Sequence, residues 1–177
     1  MKKLFLGTLI VVSTMLIACG SGDAKGGENG TDSTKIEAEA TTDGDLVLFE
    51  AEEFSFSHPK AMKSKFTSSR VINLVTDDKK ASYDMTYMKM GPAVEELQHY
   101  AGVNEEKIKN NGEEVDKPII EGNVLKIRSV KDGQVKQFFV IAVDGKKSIT
   151  GELKYDQSLA GEYDAYVDAI IKSYKFK

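Results

Sequence analysis

Few side chains in this 177-residue chain are suited to nucleophilic, acid–base or metal chemistry: it has one cysteine, Cys19, and two histidines, His58 and His99. These three cannot supply the four ligands of a structural zinc site, and one Cys cannot form a disulfide within the chain. A hydrolytic triad also needs a nucleophile, and no G-x-S-x-G or comparable motif is present. The pattern therefore predicts a non-catalytic protein with no cofactor and no bound metal.

Methionines form a second group with possible chemistry, because thioethers are soft ligands that suit monovalent copper. Met85, Met88 and Met90 lie close together, while Met62 and His99 lie elsewhere in the chain. In a strand, Met88 and Met90 fall on one face and Met85 on the other, which disfavours a shared site. Methionine is also a common filler of irregular cores, and we favour that interpretation over copper binding.

The amino terminus has the pattern of an export signal. Two lysines precede an apolar run over residues 4–15, which is shorter than the roughly 20 residues of a membrane-spanning helix. The sequence Leu16-Ile17-Ala18-Cys19 follows and resembles the lipobox of bacterial lipoproteins. That resemblance implies removal of residues 1–18 as a lipoprotein signal peptide, a diacylglyceryl group on Cys19, and an acylated new amino terminus. An ordinary signal peptide or an N-terminal anchor helix is the alternative.

Residues 20–45 predict an acidic, flexible tether between Cys19 and a folded domain. This segment is rich in Gly, Ser and Thr, and its seven acids and two bases give it a charge of −5. Residues 46–177 then carry a balance of only −1, which argues against binding to nucleic acid. We expect the protein to lie in the cell envelope, where its N-terminal lipid would hold it to a membrane. In a Gram-negative source, Gly20 after the cysteine favours the outer membrane.

The sequence of residues 46–177 predicts a domain of short strands followed by a helix, three strands and a closing helix. Strand patterns occur at 46–49, 54–57, 71–75 and 82–88, and Pro92 is placed to begin a helix that runs to about Gly102. Asn104 is placed to cap a further turn or two that ends near Gly112. Three strands follow at 124–130, 135–143 and 148–155, joined at Asp132-Gly133 and Asp144-Gly145, which are typical of tight hairpin turns. Apolar residues from Leu159 to Tyr174 repeat at helical spacing.

The hairpin turns predict the pairing of the last three strands, with Val130 opposite Val135 and Val143 opposite Lys146. One sheet face is then apolar and is expected to carry the closing helix on Phe138 and Val140. The other face is mixed and forms a candidate partner-binding surface. Its six members are Phe139, Ile141, Lys126, Arg128, Thr150 and Glu152. The alternative is that the helix beginning at Pro92 covers Phe139 and Ile141.

The order of elements resembles the PsbP/Mog1-like α/β sandwich. The resemblance covers residues 46–177 and is carried by Phe54-Ser-Phe-Ser-His-Pro59 and by the closing helix with its Ser-Tyr-Lys-Phe end at residues 173–176. It implies an α+β fold, with an antiparallel β-sheet that has helices packed on its faces, and a non-enzymatic role. We therefore expect an exported, lipid-anchored binding or assembly accessory that engages an envelope protein. The alternative is a small-ligand or lipid-binding lipoprotein with a pocket between sheet and helix.

Overall fold

A computed structural model of the protein describes residues 45–144 and 147–177, which belong to one compact unit. Cys19, the signal peptide and all of the tether predicted at residues 20–45 except Asp45 lie outside the described residues. The strands are β1 (Leu46–Glu50), β2 (Phe54–Pro59), β3 (Met62–Thr67), β4 (Val71–Thr76), β5 (Ala81–Met88), β6 (Glu114–Val115), β7 (Ile119–Glu121), β8 (Val124–Lys131), β9 (Gln134–Ala142), β10 (Ser148–Asp156) and β11 (Lys175–Phe176). The helices are α1 (Leu97–Asn110) and α2 (Ala160–Ser173).

The strands form two antiparallel sheets. The larger has the order β3-β4-β5-β10-β9-β8-β6, and β7 also pairs with β8; the smaller has the order β1-β2-β11. Side chains alternate between buried and half-buried along β5 and β8, as expected for strands that turn one face to a core. This arrangement confirms the predicted α+β class. In the described part of the chain, neither helix is long and apolar enough to cross a membrane.

The inner face of the large sheet packs against α2 and the small sheet. Aromatic rings fill this layer: Phe56 of β2 lies 4.9 Å from Tyr174 and 5.7 Å from Tyr83, centroid to centroid. The hydroxyls of Tyr83 and Tyr174 are hydrogen-bonded at 2.6 Å, and burial raises the pKa of both groups. This layer holds the principal hydrophobic core.

The outer face of the large sheet carries α1. Leu97 and Ala101 of this helix pack on Leu125, Ile127 and Val140 in a second, smaller core. The helix begins at Leu97, after a 3₁₀ turn at Val94–Glu96, and not at Pro92 as predicted. It runs without a break through Gly102 and the predicted further turn to Asn110, and Gly112 beyond it has a φ of +72°, a left-handed conformation that favours glycine. Strands β3, β6, β7 and β11 had no predicted counterpart.

The two helices occupy opposite faces to those predicted. The closing helix α2 packs on the face that carries Phe139 and Ile141, whereas α1 packs on the face of Val140. The cause lies in the turn before β10: Val143 N donates to the carbonyl of Lys147, not Lys146, over 2.7 Å. Because side chains alternate along a strand, this one-residue difference moves every side chain of β10 to the other face. The first hairpin is confirmed, with Val130 opposite Val135.

His58 at the end of β2 gives the fold a defined pH dependence. Its ring is buried, Nδ1 donates to the Pro59 carbonyl over 3.0 Å, and burial lowers the pKa of the imidazole despite that hydrogen bond. In the unfolded chain the ring takes up a proton near pH 6.5, whereas in the folded chain it does so only at lower pH. The free energy of unfolding is therefore highest above about pH 6.5 and falls as the pH drops below that value.

We predict that His58→Gln removes most of the stability loss between pH 7.5 and pH 5.5, a loss of up to about 1.4 kcal/mol per pH unit in the parent chain. Urea denaturation at the two pH values measures it. His99→Gln is the matched control, since His99 is the other histidine, lies on exposed helix surface and should leave the loss intact. If the His58→Gln chain lost as much stability as the parent chain between the two pH values, the assignment of this pH dependence to His58 would be contradicted.

Candidate functional site

The six residues predicted as one partner-binding surface do not share a surface. Phe139 is 0% exposed and Ile141 is 4% exposed, so neither is available to a partner in this fold. Both lie on the inner face under α2, not under α1 as the alternative had it. Thr150 and Glu152 pair with Val140 and Phe138 and therefore lie on the outer face. The wrong register assumed for β10 accounts for the misplacement of Thr150 and Glu152. Phe139 and Ile141 do share a face with Lys126 and Arg128, as predicted, but they are buried in the principal core.

Lys126 and Arg128 instead line a charged groove between β8 and α2. Its volume is about 210 Å³, and three cations and three carboxylates are among its walls. The lining residues are Asp116, Lys117, Ile119, Lys126, Arg128, Gln137, Asp164, Val167 and Asp168.

The two cations of the predicted partner-binding surface, Lys126 and Arg128, form ion pairs with nearby carboxylates. Lys126 Nζ lies 3.3 Å from Asp168 and 3.1 Å from Glu121, and these contacts outweigh burial and raise the pKa of the amine. Arg128 lies 3.4 Å from Asp116 and 3.6 Å from Asp164. With its charges balanced in this way, the groove has no excess charge that would recognise an ionic ligand.

Two lining residues of the charged groove, Gln137 and Asp164, are hydrogen-bonded to Tyr155 of β10. The Tyr155 hydroxyl and Gln137 Nε2 both donate to Asp164 Oδ1. Burial and the nearby carboxylate raise the pKa of Tyr155 to about 12, so its hydroxyl stays protonated at neutral pH. The groove is thus a polar network that joins α2 to the sheet, and it is not the apolar cavity that a lipid ligand needs.

Among the described residues, no helix packs on the outer face of β3, β4 and β5, and α1 packs on the β8–β9 part of this face. We call this uncovered area the open half. It consists of the outward side chains of β3, β4 and β5 with those of β10 beside them. They are Lys63, Phe66, Val71, Asn73, Val75, Ser82, Asp84, Thr86, Met88, Thr150, Glu152 and Lys154.

Phe66 lies on the open half because β3 contains a bulge. Ser64 pairs with Leu74, but Phe66 pairs with Asn73, so one residue of β3 is left over. Regular pairing would place Phe66 opposite Ile72, which faces the inner core and is fully buried. The bulge turns the ring outward, where it is 56% exposed and diagonal to the exposed Val71.

Polar side chains run across the open half beside Phe66. Asn73 Nδ2 donates to Asp84, and Lys154 Nζ lies 2.6 Å from Glu152 and 3.9 Å from Asp84. Burial alone would lower the pKa of Lys154, but these carboxylates raise it, so the amine is firmly charged. The open half is therefore apolar along one side and carries charges and hydrogen-bonding groups along the other.

A second pocket lies where the open half meets α1. It has a volume of about 350 Å³ and is bounded by the end of β5 and the first turns of α1. We call it the methionine pocket, after Met88 and Met90. Its lining residues are Met88, Met90, Gly91, Pro92, Glu96, His99 and Tyr100.

The two histidines cannot act together. His58 lies on β2, which packs against the inner face of the large sheet, and His99 lies on α1, which packs on the outer face. Over residues 45–144 and 147–177, no group of three or more His, Cys, Asp or Glu side chains is placed to hold a metal ion.

No pattern in the sequence indicated that Phe66 and Val71 lie on the surface. The segment from Met62 to Thr67 lacks a clear alternation of apolar and polar residues, and a bulge leaves no mark in such a pattern. The one feature of the sequence that could have indicated an exposed Phe66 was its position between Lys65 and a run of Thr and Ser.

No family model and no curated protein matches the chain. Among solved structures, it is similar to cyanobacterial PsbP (CyanoP) from Synechocystis sp. PCC 6803, with a TM-score of 0.48 and 14% identity, over 86% of this chain and 98% of that one. It is also similar to the Ran-binding protein Mog1p of Saccharomyces cerevisiae, with a TM-score of 0.48 and 8% identity, over 81% of this chain and 96% of that one.

We predict that Gly151→Ala destabilises the fold by about 1–3 kcal/mol, because Phe139 lies directly over this glycine. A Cβ at residue 151 would stand 2.2 Å from Phe139 Cζ. The control is Gly161→Ala in α2, where a Cβ meets nothing within 4 Å and alanine should stabilise the helix by about 0.5–1 kcal/mol. Chemical denaturation measures both. Equal stability of the two variants would contradict the burial of Phe139 against Gly151.

Proposed function

We propose that the protein is an exported, lipid-anchored binding or assembly accessory of the bacterial cell envelope, non-catalytic, which engages a protein partner through the open half. The observation that carries the proposal is the bulge in β3. It places an aromatic side chain in solvent on the outer face, next to exposed Val71, although regular pairing would have placed that side chain on the inner face, opposite buried Ile72. Bulges that re-aim side chains are common beside functional sites.

The chemistry of the open half suits a protein surface. Phe66 and Val71 offer apolar contact, and the neighbouring row of Asn73, Asp84 and Glu152 offers hydrogen bonds and charge. Interfaces between proteins combine an apolar centre with a polar rim in this way, and exposed aromatic residues often contribute much of the binding energy.

The proposed anchor is the lipid on Cys19, inferred from the lipobox-like sequence. One acyl chain gives only marginal membrane binding, whereas two or more chains hold a protein firmly. A Gly-rich chain as long as residues 20–45 would span roughly 30 Å if it is flexible, which lets the domain reach neighbours in the envelope.

Binding of a small ligand or lipid is the second candidate. The methionine pocket supports it, because the pocket has the volume of a small-ligand site and lies between the sheet and a helix. The charged groove under α2 does not support it, since its charges are paired with each other.

We predict that Cys19→Ser abolishes metabolic incorporation of palmitate in the native cell and leaves the uncut signal sequence on the chain. Cys19 is the only cysteine, so no other thiol can take the lipid. Gel mobility and the mass of the purified protein measure both effects. Met90→Leu serves as a matched control and should be lipidated normally. Palmitate incorporation into the Cys19→Ser chain would refute the anchor without bearing on the partner surface.

We predict that a photo-crosslinking residue at position 66 gives one adduct of discrete mass in intact cells, and that the same residue at position 172 does not. Lys172 is exposed on α2, away from the open half. Glu152→Lys, which reverses a charge on the open half, should abolish the adduct, while Glu106→Lys on α1 should preserve it. Identical adducts from positions 66 and 172, or an adduct insensitive to Glu152→Lys, would disprove the assignment of the partner surface.

A further inference from the structure

The four methionines of the described chain fall into two groups that differ in burial. Met62 and Met85 are almost completely buried in the principal core, where an adaptable thioether fills irregular space. Met88 is half-buried, and Met90 is 86% exposed beyond the end of β5. Core filling therefore explains the first pair and leaves Met90 unexplained, since a large apolar side chain gains nothing from exposure to water.

The fold brings His99 to the same pocket as Met88 and Met90. The two methionines are separated by one residue at the end of β5, and the chain then reverses through Gly91 and Pro92 before α1 begins. His99 lies in the first turns of α1 and lines the methionine pocket together with Met88 and Met90. Residues that the sequence separates by about ten positions thus border one space of about 350 Å³.

The reversal that forms the methionine pocket depends on Gly91. A Cβ at this residue would stand 1.8 Å from Ser148 Oγ and 3.2 Å from Met88 Cε, so only glycine lets the chain pass this close to β10. Glu96 Oε2 accepts a hydrogen bond from Ala93 N at 2.8 Å and fixes the start of the helical segment. The walls of the pocket are therefore held by contacts independent of any ligand.

The soft donors that line the methionine pocket are two thioether sulfurs, and they are accompanied by the His99 imidazole, the Glu96 carboxylate and the Tyr100 hydroxyl. In the described chain, His99 makes no hydrogen bond that would occupy a ring nitrogen. Thioethers bind monovalent copper in preference to hard cations, and imidazole also suits copper. Glu96 is the one carboxylate among the lining residues, and a single carboxylate does not supply the several oxygen ligands that magnesium or calcium takes.

We propose that Met88 Sδ, Met90 Sδ and a ring nitrogen of His99 bind one Cu(I) ion at the mouth of the methionine pocket. Binding of the ion would account for the exposure of Met90, because an unbranched side chain in solvent is free to turn its sulfur toward the ion. This site goes beyond the proposed partner surface and does not depend on it, because none of its tests requires a protein partner.

The first test is an anaerobic titration of the full chain with Cu(I) against a colorimetric Cu(I) chelator, in a Cys19→Ser background so that no thiol competes. We expect one Cu(I) per chain, and at least a tenfold loss of affinity in both Met90→Leu and His99→Gln. Met85→Leu is the matched control, since Met85 lies on the same strand but faces the inner core, and it should bind like the parent. Stoichiometric binding that survives Met90→Leu and His99→Gln, or no binding at all, would overturn the site.

A second measurement keeps the proposal falsifiable if a variant folds poorly. Ag(I), a diamagnetic stand-in for Cu(I), is added to the chain labelled with ¹³C at the methionine methyl groups. The methyl signals of Met88 and Met90 should shift, and those of Met62 and Met85 should not. Shifts confined to other methionines, or equal shifts of all four, would contradict the proposed ligands.

Discussion

The pairing of Phe139 with Gly151 constrains the rest of this structure. The two residues are opposite each other on adjacent strands of the large sheet, and the aromatic ring lies in the space that a side chain at 151 would occupy. A shift of one residue would move Phe139 away from the glycine and turn Ile149 and Leu153 away from the core. This contact therefore fixes which face of β9 and β10 is inner and which is outer.

Once the inner face is fixed, aromatic packing joins the layers of the sandwich. Phe139 stacks near Tyr83, which contacts Phe56 of the small sheet, and Phe56 stacks on Tyr174 at the end of α2. Rings at 5–6 Å prefer offset or tilted geometries, so each pair limits the orientation of the next. The sheet, the small sheet and the closing helix are thus held by one connected cluster, and the hydrogen bond between Tyr83 and Tyr174 lies within it.

The features with functional interest lie where the backbone departs from regular structure. The bulge in β3 places Phe66 on the open half, and the close passage of Gly91 past Ser148 brings Met90 toward α1. Neither departure improves the burial of apolar surface, since both leave large side chains in solvent. Local exceptions of this kind are expected at functional sites, where stability is not the only requirement. The charged groove, by contrast, contains balanced ion pairs that join α2 to the sheet.

The sequence by itself determined the class of the fold, the three-stranded meander and both helices, because periodicity and turn chemistry are local properties. Asp132 and Gly133 both have positive φ, as their residue types predicted. Tertiary structure alone decided the pairing of β10, the face on which each helix packs, the outward turn of Phe66 and the meeting of His99 with the methionines. Each of these depends on a shift of one residue or on a contact between distant segments, and a period of two along a strand looks the same in either register.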